Sequence, residues 1–416
     1  MNNGTVFPLW LSTSDNHQEI GKSARAVHAD PSPRTDLTAQ IKRLAVDHGL
    51  SVAAVTTADA FPGLAETLEE HVAAGRVQGM DWFTAERARF STDPRNLHPC
   101  AVSIVAVAVA YWSVDPGKPD DEPRGRIARY AWGVDYHDLL KERMRSLHLA
   151  VEALVGRQVE ARFLVDTARI VDRAVAARAG LGWYGKHSCL IVPGYGSGVL
   201  LGELLLDLDL EPDAPLARNC GRCRLCLDRC PTQAIVAPYT VDAPRCLSFQ
   251  TIEQRGAIPR EIRPLLGDWV FGCDLCQEVC PYTKAAKERP DPAFLPRTVD
   301  NAYPALRRLL AMTETEFRDI YRGTPVTRAK RRGLARNAAV ALGNVGDRDD
   351  VPFLIAALID HDEPLVRGHS AWALGRLGGW HARSALDARR PTEPDPTVRT
   401  EIEFALEPVM DFGRRR

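Results

Sequence analysis

Eight of the ten cysteines in the chain fall between residues 220 and 280, and their spacing is the strongest chemical signal it carries. Cys220-x2-Cys223-x2-Cys226-x3-Cys230-Pro231 has the spacing of bacterial ferredoxins, in which three thiolates hold one 4Fe–4S cube and the fourth reaches a second. Cys273-x2-Cys276-x3-Cys280-Pro281 supplies the other half without a third close cysteine, and Cys246 lies between the two runs to fill that vacancy. Crossed ligation then assigns Cys220, Cys223, Cys226 and Cys280 to one cluster, and Cys230, Cys246, Cys273 and Cys276 to the other. Structural zinc is the alternative, but three cysteines separated by two residues each suit the corners of a cube better than a tetrahedral site. In a reducing cytosol such clustered thiols are metal ligands, not disulfides. Cys100 opens an apolar strand and Cys189 sits in HSCLIV, so both read as small buried hydrophobes.

Two adjacent cubes move single electrons, and a chain of 416 residues is long for that task alone, so an acceptor or cofactor is expected elsewhere. No G-x-G-x-x-G follows a strand and no Walker loop is present, so neither a nicotinamide nor a nucleotide site is indicated. GVDYHDLL contains Asp135-x-His137 without the glycine of the D-x-H-x-x-G cobalamin motif, and spacing alone names no cofactor. Asp166 is the most suggestive carboxylate. It follows Phe163-Leu164-Val165 at the end of a strand and precedes a helix, a place where side chains commonly face a ligand. The competing reading is that Asp166 or Thr167 caps that helix. Asp172 and Arg173 behind it offer an internal ion pair, and Lys186, in the glycine-rich turn GLGWYGKHSCLI, reads equally well as a solvated turn lysine.

These groups need elements to hold them. At 45% hydrophobic content the chain can build the cores of two to four domains, and a net charge of −1 means that affinity for a polyanion must come from a local patch. The amino terminus has no basic segment followed by an apolar run, and no stretch approaches the roughly 18 apolar residues that span a membrane, which predicts a soluble, cytoplasmic protein with no membrane partner. Residues 1–35 mix Asn, Ser, Asp and Pro without period and read as a flexible arm. From Thr35, a cap, the pattern turns helical, with Ile41, Leu44 and Ala45 on one face. Residues 101–112 and 161–168 read as buried strands, RIVDRAVAARAG as a helix closed by Gly180, and GVLLGELLLDLDL as a strand pair. Strand and helix alternate, which predicts an α/β domain over residues 36–215, followed by a double-cluster ferredoxin-like domain over 216–300.

The remainder, residues 301–416, is helical and repetitive. Ala341-Leu342, Ala373-Leu374 and Ala405-Leu406 recur 32 residues apart, as do Val366-Arg367 and Val398-Arg399, a pattern of stacked HEAT-like hairpins. At the edge of this region Arg328, Lys330, Arg331, Arg332 and Arg336 stand without an intervening acid, which reads either as a solvated helix face or as a phosphate-binding patch.

Taken jointly, RYAWGVDYHDLLKERM, FLVDTARIVDRAVAARAGLGWYGKHSCLI, CGRCRLCLDRCPTQAI, FGCDLCQEVCP and RAKRRGLARNAAVALGN resemble the epoxyqueuosine reductase family from about residue 36 to the end. The resemblance implies a nitroreductase-like α/β domain that binds base-off cobalamin, two 4Fe–4S clusters, and a HEAT-like end that contacts the anticodon stem-loop of a transfer RNA carrying epoxyqueuosine. It implies a monomer that takes electrons from an external low-potential donor and reduces the epoxide to queuosine at the wobble position. Asp166 in VDT then matches the proton donor, which must be buried to keep its proton. Asp135, Tyr136, His137, Lys186, Gly272 and Asp274 match the cobalamin surroundings, and Arg328, Lys330, Arg331, Arg332 and Arg336 match the RNA contact. One departure stands out: His187 follows Lys186 where the family usually has Asn. A small-molecule reductase of the reductive dehalogenase kind would share corrin and clusters but has no use for a basic helical end, and a plain electron carrier would need neither the α/β domain nor Asp166.

Overall fold

The computed structural model describes residues 33–286 and 289–407. The arm expected over residues 1–35 lies outside the described residues up to position 32, and its last three residues already belong to helix α1, Pro33–Asp47. Thr35 is therefore inside the helix and not its cap. Among the described residues no helix is long and apolar enough to cross a membrane.

The chain divides into two units, and it crosses between them repeatedly. Unit 1 comprises the residues up to Ser113, Asp135–Pro244 and Leu275–Pro292; unit 2 comprises Val114–Val134, Arg245–Asp274 and the chain from Ala293. This differs from the consecutive division expected over 36–215, 216–300 and 301–416, because the cysteine region is shared: Cys246 and Cys273 belong to unit 2 and the other six clustered cysteines to unit 1.

Unit 1 is built on four strands, β1 (Val52–Thr57), β2 (Ser103–Ala110), β3 (Ala161–Leu164) and β4 (Val199–Leu206), in the order β1-β2-β4-β3. Every pairing is antiparallel, so the alternation of strand and helix does not produce the parallel sheet usual for α/β folds. All of β2 is buried because both faces of the sheet are covered. On one face Ile104, Ala106 and Ala108 pack with Val175 and Ala176 of helix α3 (Asp172–Arg178). On the other, Met144 of helix α2 (Tyr136–Val155) lies against Gly202. The expected strand pair in GVLLGELLLDLDL is the single strand β4, whose leucines are consecutive because it is paired on both edges and covered on both faces. Its register sets Glu203 between Ala106 of β2 and Leu164 of β3, in the middle of the sheet.

Unit 2 carries the helical hairpins: α4 (Lys330–Val345), α5 (Val351–Asp360), α6 (Pro364–Leu377), α7 (Trp380–Arg389) and α8 (Pro396–Leu406). The 32-residue repeat has a packing cause. A Cβ on Gly343 would lie 3.0 Å from Ala373 Cα, and one on Gly375 2.9 Å from Ala405 Cα, so two glycines one period apart admit the close approach of α4 to α6 and of α6 to α8. Ala341, Leu342, Ala373 and Leu374 are fully buried in these contacts.

Candidate active site

Asp166 sits two residues beyond the end of β3, in the left-handed region at φ 44°, a conformation that costs a non-glycine residue energy and persists only where its surroundings impose it. Its backbone N–H donates to Asp172 Oδ1 at 3.2 Å, and its Oδ2 accepts from the Tyr136 hydroxyl at 2.5 Å. His137 Nε2 lies 3.4 Å from the same oxygen. Helix α2 positions both aromatic partners: Asp135 caps it by accepting from the His137 backbone N–H at 3.0 Å, and its Oδ1 also lies 2.7 Å from His137 Nδ1. The Tyr136 and His137 rings stack with centroids 4.2 Å apart. Burial works against a charged His137, but hydrogen bonds to Asp135 and Asp166 and the two carboxylate charges outweigh it and push its pKa up to about 9. A protonated imidazole thus stands beside Asp166 at neutral pH. The helix-cap reading of Asp166 and Thr167 is overturned: α3 begins at Asp172, and its N-cap position, Val171, has no side-chain cap.

A second acid layer lies behind Asp166. Asp172 is 5% exposed and Glu203 fully buried. Burial, then the neighbouring Asp166 charge, pushes Asp172 up to about 7; burial and the Asp172 charge push Glu203 well above the usual range. Among the described residues Arg173 forms no ion pair, and it donates to the Ser188 carbonyl at 2.6 Å. Arg87 donates to the Ala168 carbonyl at 3.2 Å, bracing the loop from the other side, and stacks 4.7 Å above the Trp82 ring. Sequence reasoning missed Glu203, although a lone acid inside the apolar run LLGELLL is the signal that would have found it.

The cysteines split by unit. Within unit 1, burial and the like charges of Cys220, Cys280 and Cys223 push the Cys226 thiol up to about 12, so these four sulfurs stand within electrostatic reach of one another. Cys226 and Cys280 are 7% and 6% exposed. Cys230 Sγ accepts from the Ala234 backbone N–H at 3.3 Å. Lys186 is placed at this segment, donating from Nζ to the Gly221 and Cys223 carbonyls at 2.6 and 2.9 Å. Burial of Cys100 is overturned: it is exposed, ahead of a strand that begins at Ser103, with Sγ 3.2 Å from Glu160 Oε2 and 3.3 Å from His98 Nε2. Cys189 is half-buried.

Gly272 and Asp274 belong to unit 2 and have work there. A Cβ on Gly272, which is at φ 69°, would lie 2.5 Å from Ala128 Cβ, and its N–H donates to Thr251 Oγ1 at 2.9 Å. Asp274 is 1% exposed and accepts from the Arg129 backbone N–H at 2.8 Å and from its Nη1 at 3.3 Å. These contacts are internal to unit 2.

The structure corrects Arg336 in the basic run and shows acidic partners for two other members. Arg336 is 1% exposed, and its guanidinium is saturated by the Gln250, Gln254 and Gly256 carbonyls, each at 2.7 Å, and by Asn337 Oδ1; burial pushes its pKa down to about 9. Arg328 forms a two-point ion pair with Glu253, and Arg331 pairs with Asp362 and Glu314. Lys330 and Arg332 remain exposed. Arg255, which no motif marks, is exposed as well; it donates to the Arg328 carbonyl at 2.8 Å and lies 4.0 Å from Glu253 Oε2, at the limit of an ion pair.

Residues 219–283 match the 4Fe-4S double cluster binding domain, and residues 327–407 match HEAT repeats. An iron–sulfur redox protein with a helical-repeat end is the class so defined. Residues 92–167 match the family Epoxyqueuosine reductase QueG, DUF1730. The chain is 39% identical to the epoxyqueuosine reductase of Xanthomonas campestris pv. campestris over 357 residues, 85% of this chain and 99% of that one. It is 35% identical to that of Escherichia coli K12 over 84% of this chain and 91% of that one. A crystal structure of epoxyqueuosine reductase with an epoxyqueuosine-modified tRNA-Tyr stem loop superposes with a TM-score of 0.83 at 34% identity, covering 89% of this chain and 98% of that one. A Bacillus subtilis structure with an aspartate-bearing catalytic loop swung out of the active site also gives 0.83, at 33% identity and the same coverage. The chain belongs to the epoxyqueuosine reductase family.

Proposed function

We propose that this chain, as an oxidoreductase, reduces epoxyqueuosine to queuosine at the wobble position of transfer RNA, and that Asp166 is the acid that protonates the epoxide oxygen. The net change takes two electrons and two protons and releases the oxygen as water, leaving a cyclopentene. The observation that carries the assignment is the arrangement of Asp166 itself: a strained loop residue whose carboxylate meets a tyrosine hydroxyl and a protonated imidazole. Asp166 passes the proton to the oxygen, drawing it from the protonated His137 imidazole or the Tyr136 hydroxyl that its carboxylate meets. That the catalytic loop of the Bacillus subtilis relative carries an aspartate agrees with this reading.

The implied groups fit the residues present. Four mutually close thiols in unit 1, with a backbone N–H directed at Cys230 Sγ, suit cluster ligation, and we assign the second cluster to Cys230, Cys246, Cys273 and Cys276. For cobalamin the fit rests on buried polar atoms without partners among the described residues: Trp183 Nε1, His187 Nε2 and Ser188 Oγ, in the segment after α3. Donors and acceptors of this kind match the amide-rich rim of a corrin. His187 takes Cys189 N–H on Nδ1, which puts its proton on Nε2, and burial pushes its pKa down to about 4, so it offers a neutral N–H. When bound, the clusters would deliver electrons singly and the corrin cobalt would supply a strong reductant. An antiparallel sheet covered by helices on both faces supports reading unit 1 as nitroreductase-like. Lys330, Arg332 and Arg255 are the side chains we assign to RNA phosphates.

The test is anaerobic purification with iron and cobalt analysis, followed by conversion of epoxyqueuosine-bearing transfer RNA. About eight irons, one cobalamin and turnover are expected. Cys246→Ala should lose about half the iron; full iron in that variant would remove Cys246 from the ligand set.

A further inference from the structure

We propose that Glu203 and Asp172 are positioning residues: a proton held between their buried carboxyls keeps Asp172 in place as the acceptor that fixes the Asp166 backbone in its left-handed conformation. The proposal rests on the reading of Asp166 as the acid and explains what holds it. Its foundation is geometric. Glu203 is fully buried in the centre of the sheet, between Ala106 and Leu164, on the face where Leu205, Val175 and Ala176 pack. Asp172 opens the helix that covers this face. Neither oxygen of Glu203, nor Asp172 Oδ2, meets a hydrogen-bond donor of ordinary geometry among the described residues. Asp172 Oδ1 is the oxygen that accepts from the Asp166 N–H.

Two carboxyls facing each other in apolar surroundings cannot both be ionised, so at least one proton stays in the pair. The other groups that bear on it are Asp166, Arg173, Arg87 and Tyr184. Both arginines are engaged with backbone carbonyls, at Ser188 and Ala168, and neither pairs with Asp172. Near neutral pH, Asp172 ionises while Glu203 keeps its proton. In that state Glu203 is the donor for Oδ2 and Asp166 N–H the donor for Oδ1, and the loop is held. Loss of the Glu203 donor leaves Asp172 with a buried charge it can relieve only by taking up a proton or turning away.

The experiment uses the holoenzyme, with iron and cobalt content verified, and compares Glu203→Leu, Glu203→Gln and Asp172→Asn. Hydrogen exchange of the Asp166 amide reads the loop directly. It should speed up at least about tenfold in Glu203→Leu and stay within about threefold of the parent in Glu203→Gln, whose amide still donates. In Glu203→Leu, kcat should fall up to about 10²-fold with little change in KM, the cost of a misplaced acid, and the rising limb of kcat near pH 7 should move to higher pH. Asp172→Asn should abolish that limb. Parent-like exchange in Glu203→Leu, or a retained limb in Asp172→Asn, overturns the proposal. Turnover by Asp166→Asn would overturn the acid role instead, and the exchange measurement would still decide whether the pair holds the loop.

Discussion

Buried charge is handled in opposite ways in the two units. In unit 2 three buried arginines are saturated: Arg336 by three carbonyls and an amide oxygen, Arg263 by Glu401 at 2.8 Å, and Arg367 by Glu393 at 2.7 Å. In unit 1 the buried Asp172 and Glu203 carboxyls meet each other, and among the described residues no cation pairs with either, beside an aspartate in a strained conformation. Saturated buried charge specifies packing; unsaturated buried charge stores a proton and a conformational preference that chemistry can use. The difference separates the scaffold of this protein from its candidate active site without reference to any relative.

The largest effect that would sharpen this contrast is on turnover. Asp166→Asn should retain clusters, cobalamin and RNA binding while kcat falls by about 10²–10⁴, the usual worth of a positioned general acid. Single-turnover assays on RNA bearing the epoxide measure it, and parent-like turnover would dissolve the contrast.

The unit 2 counterpart should change stability and leave the chemistry alone. Arg336→Met strands three backbone carbonyls and Asn337, and should cost about 3–5 kcal/mol in denaturant unfolding, with an unchanged salt dependence of RNA binding. A weakened salt dependence would return Arg336 to the RNA surface.

His137 gives a pH test with a definite sign. Its pKa rises on folding from about 6.5 to about 9, so it contributes stability that is complete below pH 6.5 and is lost as pH climbs through 9. The shift corresponds to roughly 3 kcal/mol. The stability difference between the parent and His137→Asn should accordingly shrink between pH 6.5 and 9.5; a difference that grows over that window would refute the ion-pair account.

The smallest effect is at the RNA face. Lys330→Ala with Arg332→Ala should weaken transfer RNA binding and flatten the salt slope by about 1.5–2, the loss of two phosphate contacts. Arg328→Ala should leave the slope unchanged, since its charge is already spent on Glu253.

The sequence by itself determined what depends on local spacing. The cysteine runs announce cluster chemistry because the reach of a thiolate limits the spacing of its ligands. The 32-residue recurrence announces stacked hairpins because each must present small residues to its neighbour, and Gly343 and Gly375 supply them. Strand β2, the burial of α1 at Ile41 and Ala45, and Asp166 at a strand end were legible for the same reason. Only the tertiary structure decided which charges are free. Arg336 and Arg332 look alike in a basic run and, four residues apart on α4, lie on the same side of it, yet Arg336 is sealed by the carbonyls of residues 250, 254 and 256 packed over it and Arg332, one turn nearer the helix start, faces solvent. The antiparallel order of the sheet, the division of the cysteines between two units, and the meeting of Asp172 with Glu203 depend on contacts between residues far apart in the chain, 31 positions in the case of Asp172 and Glu203. No pattern of neighbours records such contacts, since they are set by which strand edges and helix faces find each other when the chain folds.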